Sequence, residues 1–498
     1  MHDWLAPDPV GLHAQARPDK LALVDLASGR RWTYRAFDRA IEQARAVLDA
    51  LGLRPGDRLA AIARNSADLV IAQQACLRSG LIFTPLNWRL AAAELDAILA
   101  DCTPALILAD GSAAGFTAPA GARLMEVAAF AARYQTAAPG PRGPARNAGE
   151  PCVILYTSGT SGLPKGVILT PQTLFFTGVN FGVLGQVSAH SVFLAESPMF
   201  HVIGLVTSIW PALVQGGTVL VSSGFDPAIT NARLADRALA ITHYFCVPQM
   251  AQALRDAPGF APETWSLAAL FTGGGPNPPA NIRWWLEHGV PMVDGYGMTE
   301  AGTILGMPLD PALIGAHAGA VGQAGPATAI RIIDEEGGDV PDNAAGEIIV
   351  KGPHITPGYW NRPKEHESAF TRDGWLRTGD IAVRDAEGFV TIVDRRKDMF
   401  ISGGENVYPV EIESVLAEHP AVALAAVIGV PDPRWGEVGH AFILLAPGHE
   451  GSESELRAHC EARLARFKVP KHFRIVEDLP RTSTGKIRKN RLRESLVV

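Results

Sequence analysis

The sequence predicts an α/β protein in two parts, a large N-terminal domain over residues 1–396 and a small, mobile C-terminal domain over residues 397–498. Three observations carry this. Up to about residue 300, short apolar runs alternate with helix-like stretches, the signature of parallel sheets with crossover helices. From about 325 to 393 the pattern changes to short strands between turn signals, which predicts a barrel-like β subdomain. After VDRRKD (393–398) an α/β pattern restarts, so the best single cut lies near Lys397. A chain of 498 residues also exceeds one ordinary core.

Taken in order, the candidate strands of the large domain are LIFTPL (81–86), ALILAD (105–110), CVILYT (152–157), TVLVSS (218–223), AALFTG (268–273) and VPMVDG (290–295). Each lies near a helical pattern such as ELDAILADC or MAQALRDA. The stretch TAAPGPRGPARNAGEP (136–151) reads as a loop. IRIIDEEGGDV, GEIIVKG and GFVTIVD supply the β subdomain. Beyond it, 407–418 reads as helix, AVALAAVIGV and AFILLAP as strands, and SELRAHCEARLARF as helix.

Composition narrows the class. Hydrophobic residues make up 47% of the chain, and no apolar stretch is long enough to span a bilayer, so no integral membrane span is expected. The N-terminal MHDWLAPDPV has neither a basic segment nor an apolar core with a cleavage site. Five cysteines (76, 102, 152, 246 and 460) are scattered without paired spacing, which fits a reducing compartment and a cytoplasmic location. A net charge of −7 gives no reason to expect nucleic acid as a partner.

One stretch asks for a chemical explanation. YTSGTSGLPKGVILT (156–170) sets Thr157, Ser158, Gly159, Thr160, Ser161 and Gly162 before a Pro-Lys-Gly, directly after an apolar run. Lysine is scarce in this chain, nine against 35 arginines, so Lys165 stands out. Glycines let backbone N–H groups approach anionic oxygens, hydroxyls add donors and a lysine adds charge. A solvated Ser/Gly loop is the bland alternative, but it does not explain the launch from a buried-type strand. The P-loop of NTPases is excluded by spacing, because Pro164 precedes Lys165 and Gly166 follows it.

The stretch resembles the adenylate-forming superfamily, which includes acyl-CoA synthetases, aryl-CoA ligases, luciferases and peptide-synthetase adenylation domains. The resemblance covers nearly the whole chain and rests on an ordered set: YTSGTSGLPKG, PMFH (198–201), GGGP (273–276), DGYGMTE (294–300), WLRTGD (375–380), VDRRKDMFISGGENVYP (393–409) and RTSTGK (481–486). It implies ATP, Mg²⁺ and CoA as reaction partners, together with a small carboxylic acid.

By the same resemblance, Lys486 bridges the acid's carboxylate and the α-phosphate, and Glu300 helps hold Mg²⁺. Thr299 donates to the α-phosphate, Tyr296 lies against adenine, and Gly274, Gly275 and Pro276 form the other wall of that site beside Asp294 and Gly295. Asp380 takes the ribose hydroxyls, with Arg395 in support. Lys397 is the hinge about which the C-terminal domain swings, bringing Gly403 and Gly404 to the pantetheine path. His201 lines the junction of carboxylate and phosphate, with orientation favoured over acid–base work.

The segments implied to line the acyl pocket, with Val202, Tyr244, Cys246, Gly273, Gly297 and Met298, bring no charge beyond His201 and Glu300. A second carboxylate buried there would lack a cation. Malonate-activating relatives carry an arginine directly before YGMTE, where this chain has Gly295. An acid with an uncharged tail is therefore expected, a medium-chain fatty acid or an aryl acid. Two other readings stand beside an acyl-CoA synthetase: a stand-alone adenylation enzyme that loads a carrier protein or an amine, and a catalytically silent nucleotide- or lipid-binding protein. The motifs do not encode assembly, and a homodimer is compatible with them.

Overall fold

Pro and hydroxyl residues punctuate the chain where the strands hand over to helices. After the strand Lys165–Leu169, Thr170 caps the helix Pro171–Leu184 in a reciprocal box with Thr173, and Pro171 opens it. Ser66 caps the helix Ala67–Ser79, and Gly80, at φ +70°, ends it in the left-handed conformation. In the computed structural model, residues 5–496 are described except 142, 144, 158–163, 276, 396–397, 403–404 and 482–486.

Among the described residues two sheets dominate the large domain. In one, the parallel strands Leu21–Asp25, Thr218–Val221, Val192–Ala195, His243–Cys246, Ala269–Thr272 and Met292–Met298 lie side by side. In the other, Arg123–Glu126, Leu106–Ala109, Arg58–Ile62, Ile82–Pro85 and Val153–Thr157 run parallel, with Lys165–Leu169 antiparallel at the edge. Every strand anticipated before residue 300 is present.

Parallel strands that were not anticipated are Leu21–Asp25, Arg58–Ile62, Arg123–Glu126, Val192–Ala195 and His243–Cys246, and further departures are antiparallel additions. Met292–Met298 turns back into Gly302–Gly306, and Gln323–Ala324 extends that ribbon. The β subdomain is a meander of Ala329–Ile333, Gly346–Lys351, Leu376–Arg384 and Val390–Arg395. A bridge between Gly322 and Val390 links its last strand to the ribbon, and Ile304, Leu305, Ile348, Val350 and Val390 share one apolar cluster. Thus the barrel-like character comes from meander and ribbon together.

From Phe400 onward the chain builds its own sheet. Val422–Asp432 pairs with Gly436–Leu445, which also holds His472–Ile475 in parallel. Two apolar clusters here draw only on residues beyond 399. The expected helix over 407–418 is Pro409–Ala417, preceded by a short strand Glu405–Val407, since Pro409 fits the first helical turn and not the middle of one. The expected helix over SELRAHCEARLARF is shorter, Glu453–Glu461.

Candidate active site

The Ser/Gly-rich stretch begins and ends on a hairpin. Val153–Thr157 and Lys165–Leu169 pair antiparallel with Thr157 opposite Lys165, so both flanks of the Ser/Gly-rich stretch are held in register. Ser158, Gly159, Thr160, Ser161 and Gly162 lie outside the described residues. Gly166 is fixed by close packing: a Cβ there would sit 2.8 Å from Ile154 Cγ2 and 3.2 Å from Trp360 Cβ. The segment 356–360 staples this strand, with Trp360 N–H donating to Gly166 O (2.7 Å) and Ile168 N–H to Gly358 O (3.0 Å).

That staple carries Tyr359 into the site. Its hydroxyl donates to Glu300 Oε1 at 3.0 Å, and Lys165 Nζ stands 5.6 Å from its ring centroid. Burial first, and then the Glu300 carboxylate, push the phenol's pKa up, so it stays a donor. Thr356 N–H binds the Glu300 carbonyl at 2.7 Å, fixing the backbone of the same residue. Glu300 and the half-buried Thr299 sit in the tight turn between Met292–Met298 and Gly302–Gly306. The turn needs glycine: a Cβ on Gly297 would lie 2.2 Å from Gly302 O, and Gly302 itself has φ +57°.

Tyr296, on the same strand, donates to Asp380 Oδ2 at 2.5 Å. Asp380 is 6% exposed, and its N–H is held by the Thr378 hydroxyl at 3.1 Å. Arg395 is its register partner across the meander; the Arg395 side chain is outside the described ones. The two motifs DGYGMTE and WLRTGD therefore meet through a direct hydrogen bond between residues 84 apart in sequence.

Asp294 is placed differently from an open nucleotide ligand. Its carboxylate is buried, taking the Thr272 hydroxyl and the Asn277 amide (3.0 Å), and burial lifts its pKa to about 6 against those bonds. Its place is beneath the glycine run, bracing it. There Gly273 approaches Gly295 O and Phe245, with its Cβ position 3.0 Å and 3.5 Å from them. Gly274 has φ +80° and faces Ile203 Cδ1 (3.5 Å) and Val247 Cγ1 (4.0 Å), and the Cβ position of Gly275 meets nothing within 4 Å. Pro276 lies outside the described residues.

Strand alternation corrects the expected acyl lining. Tyr244 and Cys246 are fully buried on the face opposite Phe245, and the Tyr244 hydroxyl is spent on Glu196 Oε2 (3.1 Å), while Arg233 pairs with Oε1 of the same carboxylate at 2.7 Å. Met298 packs with Tyr296 against the subdomain cluster, and Gly297 is exposed. The residues that do converge on Gly273 and Gly274 are Phe245, Val247 and Ile203, the last adjacent to Val202 in a buried π-helical turn over Ile203–Thr207. Phe245 in turn stacks on Phe271 and meets the tilted ring of Phe181.

His201 leads into that turn. Its ring meets Phe200 at 4.6 Å, its Nε2 has no hydrogen-bond partner among the described residues, and burial, aided by Arg89, pushes its pKa down to about 4. At neutral pH it is an uncharged imidazole, suited to orienting rather than to carrying charge. Nearby lies a feature the motifs did not signal. Arg64 and Arg89 both lie over the Trp88 ring, at 5.1 and 4.6 Å, and among the described residues neither has an acidic partner. Partial burial first, and then the Arg64 charge, lower the Arg89 pKa. NWRL (87–90), with an arginine directly after a tryptophan, was the available clue.

Among the described residues no three His, Cys, Asp or Glu side chains cluster as a metal cage. The Glu300 carboxylate, a hard oxygen donor, fits Mg²⁺ that keeps several of its waters. Lys397, Gly403, Gly404 and Lys486 lie outside the described residues.

With this geometry, the AMP-binding enzyme family matches residues 12–360, and the AMP-binding enzyme C-terminal domain matches 411–486. A feruloyl-CoA synthase of an Amycolatopsis species is 39% identical over 93% of this chain and 94% of its own. An indoleacetate–CoA ligase of Aromatoleum aromaticum is 35% identical over 97% and 96%. The o-succinylbenzoate coenzyme A synthetase of Bacillus subtilis, solved in complex with ATP and magnesium ion, superposes with a TM-score of 0.88 at 31% identity, covering 98% of this chain and 100% of that one. The chain is a member of the AMP-binding enzyme family, in the company of CoA ligases.

Proposed function

We propose that this protein is an AMP-forming acyl-CoA ligase for acids with an uncharged tail, aryl acids and medium-chain fatty acids. The observation that carries the reading is the convergence of Tyr296–Asp380 with Glu300–Tyr359–Lys165, a ribose-binding carboxylate beside a phosphate-facing carboxylate and ammonium. In the first step a carboxylate oxygen attacks the α-phosphorus of ATP, the bond to the β-phosphate oxygen breaks, and pyrophosphate leaves. In the second the CoA thiol, losing its proton, attacks the acyl carbon, and AMP leaves with the bonding pair.

Each residue then has defined work. Asp380 accepts from the ribose hydroxyls while Tyr296 holds it and covers adenine. Mg²⁺ bound with ATP neutralises phosphate charge, and Glu300, oriented by Tyr359, is the residue that would hold it. Thr157 and the stretch from Ser158 to Gly162, with Lys165, cradle the leaving pyrophosphate. Lys486 offsets the repulsion between carboxylate and α-phosphate, and neutral His201 orients the acid without competing for that charge. Arg64 and Arg89, unopposed over Trp88, favour a phosphate-rich acceptor such as CoA over an amine.

The unit boundary near Lys397 is read from the self-contained clusters beyond residue 399, and it supports a swing that exchanges Lys486 for Gly403 and Gly404 between the two steps. The acid meets Phe245, Ile203, Val247 and the glycine run, which offer rings and methyls but no cation. No described helix is long and apolar enough to cross a membrane.

The test is a panel running from acetate to dodecanoate with benzoate, cinnamate, malonate and succinate, followed by pyrophosphate release and acyl-CoA formation. Aryl or medium-chain acids should give the highest kcat/KM. A best substrate of malonate or succinate would overturn the pocket reading; acyl-AMP without acyl-CoA would overturn CoA as acceptor.

A further inference from the structure

Just beyond the segment that ends in Lys486 stands a buried cation with no role so far. Lys489 opens the short helix Lys489–Glu494, and its Nζ lies 2.8 Å from Glu413 Oε1, with both side chains 12% exposed. The same carboxylate oxygen accepts Val427 N–H at 2.7 Å, tying the helix Pro409–Ala417 to the neighbouring strand. One turn on from Lys489, Arg493 reaches Asp398 Oδ1 at 3.3 Å.

Burial alone would lower the Lys489 pKa, but Glu413, with Asp394 and Asp398, outweighs it and raises it. These acids come from both sides of residues 396–397: Asp394 before them, Asp398 and Glu413 after. Asp394 is 3% exposed and accepts Val410 N–H at 3.1 Å. It also lies one residue from the register partner of Asp380.

The backbone on the other side is equally fixed. Arg481 and Ile487 form an antiparallel bridge, and Arg488 N–H donates to Pro480 O at 2.7 Å, so the described residues on either side of 482–486 form a closed base. Ile487 packs with Leu479, Leu492 and Phe442. Lys489 is the polar half of this anchorage, three residues from Lys486.

We propose that Lys489, with Glu413, is a positioning residue that sets the base from which Lys486 is presented in the adenylation step. The proposal rests on the reading of Lys486 given above. A merely structural role would depress both half-reactions, whereas positioning touches the one that uses Lys486.

The experiment measures acid-dependent pyrophosphate exchange, thioester formation from supplied acyl-adenylate, and melting temperature. Because Lys489→Met leaves Glu413 buried without its partner, the decisive variant is Lys489→Met/Glu413→Leu, which removes both charges. Expected are a melting temperature near that of the wild type, an exchange rate lower by about tenfold or more, and thioester formation within about twofold of the wild type. Lys489→Arg, keeping the charge, should restore exchange to within about threefold. Equal losses in both half-reactions, or none in exchange, overturn the positioning role. Lys486→Ala separates the two ideas: exchange that survives it overturns the reading of Lys486, while exchange lost with Lys486→Ala but kept in the double variant overturns the positioning alone.

Discussion

Around Tyr296, Asp380 and Glu300 the site is made of side chains that other side chains hold still: a phenol on each carboxylate, with Thr378 and Thr356 behind them. Across the glycine run the wall is backbone, and what lies behind it is Phe245, Ile203 and Val247. The first region suits a constant partner, whose hydroxyls and phosphates never change. The second suits a variable one, because a wall without polar side chains discriminates by volume, worth only about 1–3 kcal/mol per methylene. Under the proposed function, one chain would therefore be strict toward the nucleotide and permissive toward the acid.

The strict side should break hardest. Asp380→Ala removes a held, charged acceptor, and kcat/KM for ATP should fall by about a hundredfold while KM for the acid barely moves, read by initial rates with each substrate varied. A parallel loss in acid KM would show that the two regions are not separable.

Asp294 joins the regions from below and makes the next largest effect, one of pH. Its folded pKa of about 6 exceeds the ordinary 3.8, so the native state binds this proton more tightly than the unfolded chain. The stabilisation is full below the unfolded value and is lost as pH rises through about 6, on the order of 3 kcal/mol in all. Asp294→Asn should flatten that part of the curve, so the difference in urea midpoint between variant and wild type should move in the variant's favour from pH 4.5 to 7. A pH-independent difference would mean the carboxyl does not titrate in this window.

On the permissive side, Phe245→Ala should shift the kcat/KM ratio of bulky ring acids to small acids by about tenfold, with ATP parameters unchanged. An unshifted ratio would place the acyl wall elsewhere. Gly275→Ala is the mildest probe, since its added carbon meets nothing within 4 Å; a change of only a few fold, confined to the acid, is expected. Gly274, at φ +80°, is a poorer choice, because any side chain there brings backbone strain of about 1–2 kcal/mol.

Six of the parallel strands were legible because each is a short apolar run beside a helix-like stretch, whereas Leu21–Asp25, Arg58–Ile62, Arg123–Glu126, Val192–Ala195 and His243–Cys246 were not picked out. Tyr296, Glu300 and Asp380 could be singled out as candidates because each sits inside a compact motif. What escaped was pairing at a distance. Tyr359 belongs to PGYW and acquires meaning only when the 356–360 staple brings it beside Glu300. Phe245 was passed over for Tyr244 and Cys246, since the sequence does not say which face of a buried strand meets the ligand. The antiparallel return at Gly302–Gly306 was hidden by glycines, which lack the apolar alternation that announces a strand.

The span after Thr157 and the span after Arg481 share one construction. Each begins and ends on residues already paired across an antiparallel contact, Thr157 with Lys165 and Arg481 with Ile487. Such anchors decouple what the span contains from the register of the sheet beneath it. The junctions at Thr157 and Lys165, and at Arg481 and Ile487, are therefore the places where a homologous segment of equal length could be exchanged without shifting the register of the strands that carry it.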